Sequence, residues 1–218
     1  MNGGQVSKRQ YQSALREESA RRTKRVVADA AMMLFLELGY ADTSVAAVAR
    51  AAGVSIQTVY NTFGSKADLL KHVYDITLVG DDEPVPFAQR PEIVELMART
   101  NARDFLTGYA AVGLVLLRRL GPLMSVIRAG AAAGSTDLKA HVARTDAECL
   151  VGATMTARHA AELGGRRAGV EEEQARDAIW TLNSVEVWEL LTRSRGWSDD
   201  RYVSWVGRAM ADAVLPAA

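Results

Sequence analysis

The sequence predicts an all-α protein: an N-terminal three-helix unit containing a helix-turn-helix, followed by a larger helical bundle. Three observations predict it. Alanine and leucine are abundant, and the Val/Ile/Thr alternation of half-buried strands is missing. Apolar residues recur at spacings of three and four in one segment after another. Only five prolines occur in 218 residues, which leaves long stretches free of a helix breaker.

Residues 1–20 are polar and carry Gly3-Gly4, which reads as a flexible basic arm that turns helical near its end. From Arg21, the residues Val27, Ala30, Ala31, Leu34, Phe35 and Leu38 place one apolar stripe along a helix, and Gly39 ends it. Thr43-Ser44 supplies a cap for a short helix to Ala51, with Val45, Val48 and Ala49 turned inward. Ala52-Gly53-Val54 is a tight break. Ser55 caps a second short helix to Phe63, and Gly64-Ser65 separates it from a helix running from Lys66 to Leu78. Three prolines and three acids between Gly80 and Pro91 mark a linker. Beyond it the spacing predicts helices at 91–100, 102–120, 122–132, 136–163, 171–194 and 199–214, with Pro122 ending or kinking one of them. The expected organisation is the arm 1–20, a helix-turn-helix unit 21–80 with its motif at 44–63, and a second unit 81–218.

Apolar residues make up 49% of the chain and charged residues 24%, enough for one or two ordinary packed cores. Net charge is zero, but its distribution is uneven. Through Lys66 there are nine Lys/Arg against five Asp/Glu, which leaves seventeen against twenty-one for the rest. A basic first part on an acidic remainder suits a small DNA-binding module joined to a body that does not touch DNA. One cysteine, Cys149, rules out an intrachain disulfide framework. The first twenty residues hold no apolar core of signal-peptide length. The longest apolar run, Phe105 to Leu117, stops at Arg118-Arg119, short of the ~20 residues a membrane helix needs. A cytoplasmic protein without a membrane partner is expected.

Residues 39–70, GYADTSVAAVARAAGVSIQTVYNTFGSKADLL, carry the functional signal. Two short helices joined by a glycine-containing turn form a helix-turn-helix. Gly53 supplies the turn conformation, Ala49 lets the helices approach, and Val54, Val59 and Phe63 form the inner face. The outer face of the second helix carries Gln57, Thr58, Tyr60 and Asn61 and no carboxylate. Phosphates reject acids, and base edges accept amide pairing, so this is a face a major groove admits. Gln57 and Asn61 stand four apart on one side, placed for bidentate pairing with an adenine. Ile56 either meets a thymine methyl or joins the core. Thr43 and Ser55 begin helices whose free N–H groups suit phosphates, and Lys66 adds a charged phosphate contact. Arg21, Arg22, Lys24 and Arg25 cluster where they suit the backbone or the minor groove.

This stretch resembles the TetR family of transcriptional regulators, whose signature runs GY..TSV..VA..AGVS..TVY..F.SK..LL; the resemblance covers about residues 21–78. It implies a three-helix DNA-binding domain, a homodimer, an all-helical ligand-binding domain, and a roughly palindromic operator held by a repressor that a small molecule releases. By position, Thr43, Ser55, Gln57, Thr58, Tyr60, Asn61 and Lys66 match places that touch DNA in the family. Arg22 and Arg25 join them as candidates from the first helix. Ala46 departs from the pattern, standing where members often carry a basic or polar residue.

In the second unit, 171–194 and 201–215 are apolar nearly all round, so each needs cover on every side. Two such helices from each of two chains would make a four-helix interface, with Trp188, Tyr202, Trp205, Val206, Ala209 and Met210 as its expected residues. A twofold pair would set two recognition helices about 34–36 Å apart, in successive major grooves. Met97, Phe105, Tyr109, Met124, Met155, His159 and Trp180 are candidates to line an effector cavity. The absence of a dense charged cluster points to an apolar or neutral effector of unknown identity.

Catalysis is not expected. Cys/His metal spacing, a GxxxxGK[ST] loop and a GxSxG elbow are all missing, and His72, His141 and His159 have no nucleophile or acid partner by spacing. Neither metal nor cofactor is expected. Two alternatives stay open: an activator or ligand-independent repressor of the same fold, and a helical interaction protein with a vestigial helix-turn-helix.

Overall fold

The computed structural model describes residues 3–80 and 85–217, and they divide into two compact units at Ile76/Thr77. The first holds α1 (Gly3–Asp42), α2 (Val45–Ala51), α3 (Ile56–Phe63) and most of α4 (Lys66–Val79). The second holds α5 (Pro91–Met97), α6 (Ala102–Ala132), α7 (Thr136–Gly164), α8 (Glu172–Leu182), α9 (Val185–Trp188) and α10 (Asp199–Val214). No strand occurs among the described residues.

In the first unit, the α1 stripe, α2, α3 and α4 share one core: Val27, Ala28, Ala31, Phe35, Val48, Ala49, Val59, Leu69, Leu70 and Val73 are all buried. The Phe35 ring is fully covered and meets Tyr40 at 5.5 Å. Leu38, expected in that stripe, is exposed instead. Gly39 breaks the α1 geometry at φ 80°, a region a residue with a β-carbon resists. The Thr43 hydroxyl donates to the Leu34 carbonyl at 3.0 Å and to the Gly39 carbonyl at 2.7 Å, closing that break. Residues 3–20, expected as an arm, belong to the same helix as the stripe. Their polar composition hid this, because a polar stretch shows no apolar period.

α6 is the axis of the second unit. It packs against α7, α10, α9 and α5. Arg103 pairs with Asp212 at 2.9 Å near one end, and Arg118 pairs with Asp199 nearer the other, so α6 and α10 run antiparallel. Arg128 joins α6 to Asp146 of α7 at 3.0 Å and to Glu186 of α9 at 2.9 Å. Gly207 permits a close backbone approach of α10 to α6: a β-carbon there would lie 2.7 Å from the Thr107 Cα.

Two boundaries differ from expectation. Pro122 lies inside an unbroken α6 rather than between two helices. It removes one backbone donor, but Leu120, Leu123 and Met124 around it are buried, and that packing holds the helix through the lost bond. The helix itself continues past Arg118-Arg119, which interrupt only the apolar run. α6 spans 31 residues with a mean hydropathy of 1.6 in its most apolar stretch, long and apolar enough by composition to cross a membrane, yet half of that stretch is buried in this unit. Conversely, the expected helix 171–194 is broken at Asn183-Ser184. Ser184 turns extended and its hydroxyl accepts from the Val187 N–H at 3.3 Å, starting α9 afresh.

Candidate nucleic-acid interface

The turn between α2 and α3 is built by three local bonds. Gly53 sits at φ 66°, and its N–H reaches the Arg50 carbonyl at 3.2 Å. The Val54 N–H reaches the Ala49 carbonyl at 3.0 Å. Ser55 then caps α3: its hydroxyl accepts from the Thr58 N–H at 3.0 Å and stands 2.8 Å from the Thr58 hydroxyl. Gly64, at φ 86°, ends the helix with its N–H on the Tyr60 carbonyl. A helix of eight residues is too short to hold itself, so its orientation comes from these caps and from Val59 in the core.

That orientation turns Ile56, Gln57, Tyr60 and Asn61 outward. Gln57 Nε2 donates to Asn61 Oδ1 at 2.7 Å, so the two amides form one linked pair on the exposed edge. The pair keeps the Gln57 carbonyl oxygen as an acceptor and the Asn61 amide protons as donors, the complement of an adenine edge. Ile56 and Tyr60 are each 47% exposed, which places Ile56 outside the core. No residue of α3 is acidic.

Two expected DNA contacts and one expected inner-face residue stand elsewhere. Thr43 is buried, with its hydroxyl committed to two carbonyls of α1, so its side chain does not reach solvent. Lys66 lies over the Tyr40 ring at 4.1 Å and donates to the Tyr40 and Ala41 carbonyls, bracing the start of α4 against the end of α1. Phe63 is only half-buried, against His72 at 5.2 Å. Lys66→Met is therefore expected to lower the stability of the first unit by about 1 kcal/mol, charged hydrogen bonds being worth roughly 1.5–3 when fully buried and less here. It should leave the salt dependence of DNA binding unchanged, which titration at several ionic strengths would show.

Arg22 and Arg25 are exposed on α1. The side of α1 that meets α3 instead carries Arg16, Ser19, Ala20, Thr23 and Lys24, which with Thr58, Asn61 and Thr62 line a groove of about 520 Å³. The period that reveals this face, spacings of three and four among 16, 19, 20, 23 and 24, is present in the sequence but is written in polar residues.

In the second unit the expected effector residues do not converge. Phe105 is buried, His159 meets its ring edge-on at 4.8 Å, and Tyr109 lies one turn further along α6. The Tyr109 hydroxyl is pushed up from its ordinary pKa by burial, against hydrogen bonding from Thr156 and Asn183. The Asn183 Oδ1 and His159 Nε2 atoms are buried without a partner. Met97 and Met155 are 47% and 65% exposed. Met124 is buried but stands about 28 Å along α6 from Phe105. Trp180 is half-buried.

The expected pairing residues divide as well. Tyr202, Val206 and Met210 are fully buried, and Trp188 nearly so, within this one chain. They form the inner face of the bundle; Tyr202, its hydroxyl pushed up to about 12 by burial, has no partner there. Apolar composition all round α10 had concealed which side was inward. Trp205 is 41% exposed with its ring edge-on to Trp197 at 5.6 Å, and Ala209 is half-buried one turn on.

Comparison with known proteins matches residues 27–73 to the model of bacterial regulatory proteins of the tetR family. No curated protein sequence matches the chain. Solved structures share the fold. The transcriptional regulator FadR from Bacillus subtilis, in complex with stearoyl-CoA, is 18% identical with a TM-score of 0.68, over 87% of this chain and 98% of its own. NalD, the secondary repressor of the MexAB-OprM multidrug efflux pump in Pseudomonas aeruginosa, is 21% identical with a TM-score of 0.62, over 91% and 98%. A TetR-family transcriptional regulator from Rhodococcus sp. is 21% identical with a TM-score of 0.66, over 89% and 98%. Identities this low speak for the fold alone. Residues 27–73, the capped helix-turn-helix and the core that orients it, are thus a domain of the tetR family of bacterial regulatory proteins, a regulatory domain and not a catalytic one.

Proposed function

We propose that this chain is a cytoplasmic transcriptional regulator that binds a palindromic duplex as a homodimer and is released from it by a small-molecule effector. The observation that carries the DNA reading is the exposed edge of α3: a linked Gln57–Asn61 amide pair, flanked by Tyr60 and Ile56, on a helix without a carboxylate. Such an edge offers hydrogen bonds to bases and no repulsion to phosphates. Ser55 and Thr58 lie beside it for the sugar-phosphate chain. Repression follows from occupancy, since a protein seated on a promoter excludes polymerase. Two similar structures, one of a repressor and one of a regulator holding stearoyl-CoA, support this reading of the whole chain.

The effector is proposed to act at the seam of α6 and α7, where Phe105, Tyr109 and His159 stand together. An effector that prefers a subunit arrangement with the wrong separation of recognition helices weakens DNA binding by its differential affinity for the two arrangements. Pairing is proposed through the exposed side of α10 around Trp205 and Ala209. Trp205→Glu is expected to give monomers in sedimentation velocity; an unchanged dimer would place the interface elsewhere.

Selection of bound duplexes from a random pool tests the DNA reading. A twofold-symmetric site with half-sites about one helical turn or more apart supports it. Enrichment of nothing above background at low ionic strength overturns it.

A further inference from the structure

We propose that the seam of α6 and α7 takes a neutral effector with two hydrogen-bond donors, a hydroxyl or amide N–H at each end of a short apolar body, received by His159 Nε2 and Asn183 Oδ1. This rests on the effector reading above and names the chemistry of its ligand. Both atoms are buried and have no hydrogen-bond partner in the protein. A buried acceptor left unpaired costs a fold stability, so each of the two needs a reason. Local bonds fix what each atom offers. His159 Nδ1 stands 3.4 Å from Glu162 Oε2. A carboxylate only accepts, so Nδ1 carries the ring hydrogen and Nε2 presents a lone pair.

The Asn183 amide is held from the other side. The Thr156 hydroxyl donates to the Gly152 carbonyl at 3.0 Å, so the Tyr109 hydroxyl donates to Thr156 and accepts from the Asn183 amide nitrogen. That chain uses the nitrogen and leaves Oδ1 free. Oδ1 rests on α6 at Gly113, where a β-carbon would lie 2.1 Å from it. A glycine inside a helix also costs stability, and what this one makes room for is the amide. Phe105, Tyr109 and Gly113 follow one another four residues apart on one side of α6. The level of Phe105 and His159 is therefore about 12 Å along the helix from that of Gly113 and Asn183. Two hydrogen bonds of ~2.9 Å inside that length leave on the order of 6 Å between the donors of one ligand, the span of a para-substituted ring. Phe105 gives that ring an apolar wall. No charge awaits it: burial pushes the Tyr109 hydroxyl above its ordinary pKa, and Glu162 is turned to solvent. A charged ligand would be desolvated here without a counter-ion, and a carbonyl or carboxylate would meet two acceptors.

The test titrates the labelled full-length protein with benzenes of one shape: para-xylylene glycol, para-xylene, terephthalate and para-xylylenediamine. Binding is read from the His159 ring nitrogens and the Asn183 side-chain amide. The glycol should bind and move both. Para-xylene, which has no donor, should bind about tenfold more weakly or worse. Terephthalate and the diamine should leave both signals unmoved up to their solubility. His159→Leu should weaken the glycol about tenfold, and His159→Gln, which keeps an acceptor, should recover most of the loss. Gly113→Ala should weaken it comparably, because the new methyl displaces the Asn183 amide while alanine favours the helix. The proposal is overturned if the glycol does not bind, if para-xylene or either charged compound binds as well as the glycol, or if neither His159→Leu nor Gly113→Ala weakens it. Those results leave the DNA reading, and an effector of other chemistry, in place. A glycol that moves both signals but does not change affinity for the selected duplex upholds the ligand chemistry and removes the seam as the effector site.

Discussion

Gln57→Ala/Asn61→Ala is expected to cost about 1–3 kcal/mol at each half-site, a bidentate base contact being worth that much. A dimer presents the edge twice, so operator affinity should fall by ~2–6 kcal/mol, or from about thirtyfold to more than 10⁴-fold. The single changes should each cost nearly as much as the pair. Gln57 Nε2 already donates to Asn61 Oδ1 at 2.7 Å, and removing either member leaves the other without the partner that orients it. Groups that act as one unit give such non-additive cycles. Fluorescence anisotropy with the selected duplex and with a scrambled one measures the effect. Specific affinity should collapse toward the scrambled value, and the scrambled affinity itself should hardly move. Additive losses would mean that the two amides read separate bases.

Phe35→Ala is expected to be the most damaging change in the first unit. The ring is completely covered and closes the core where α1, bearing Tyr40, turns toward α2. Truncating a buried phenylalanine costs about 3–5 kcal/mol, made up of lost transfer energy and the cavity left behind. A unit of this size has roughly 4–11 kcal/mol in total, from ~0.05–0.15 kcal/mol per residue, so the loss is about a quarter of it or more. Since α3 is oriented by Val59 in that same core, DNA binding should disappear at temperatures where the second unit is still folded. Thermal unfolding followed by circular dichroism should show an early transition that the parent lacks. Leu38→Ala, on the exposed side of the same helix, should shift nothing by more than about 0.5 kcal/mol.

The first unit was legible in the sequence because its signals are local. Ser44, Ser55, Gly53 and Gly64 each act on the one or two residues beside them, and the structure finds each in the expected place: two serines as caps and two glycines at positive φ. The outward edge of α3 followed from the same spacing that buries Val59. What the sequence hid was set by partners far along the chain. Thr43 and Lys66 look like free polar groups until Leu34, Gly39, Tyr40 and Ala41 are brought to them. In the second unit Tyr202, Val206 and Met210 could not be told from Trp205, because α10 is apolar on both sides and only the approach of α6 at Gly207 decides which side is inward. Pro122 misled for a related reason. A breaker acts locally, but the packing of Leu120, Leu123 and Met124 around it is tertiary and prevails. The polar groove face of α1 carried no hydrophobic period at all.

The measurement that reaches the central claim most directly is backbone amide shift mapping of the labelled protein titrated with the selected duplex. The claim is that α3 presents its Gln57–Asn61 edge to the bases. The largest perturbations are then expected between Ser55 and Thr62, and the side-chain amides of Gln57 and Asn61 should move among the most. Shifts confined to residues beyond Thr77, with Ser55 to Thr62 unmoved at saturating duplex, would contradict it.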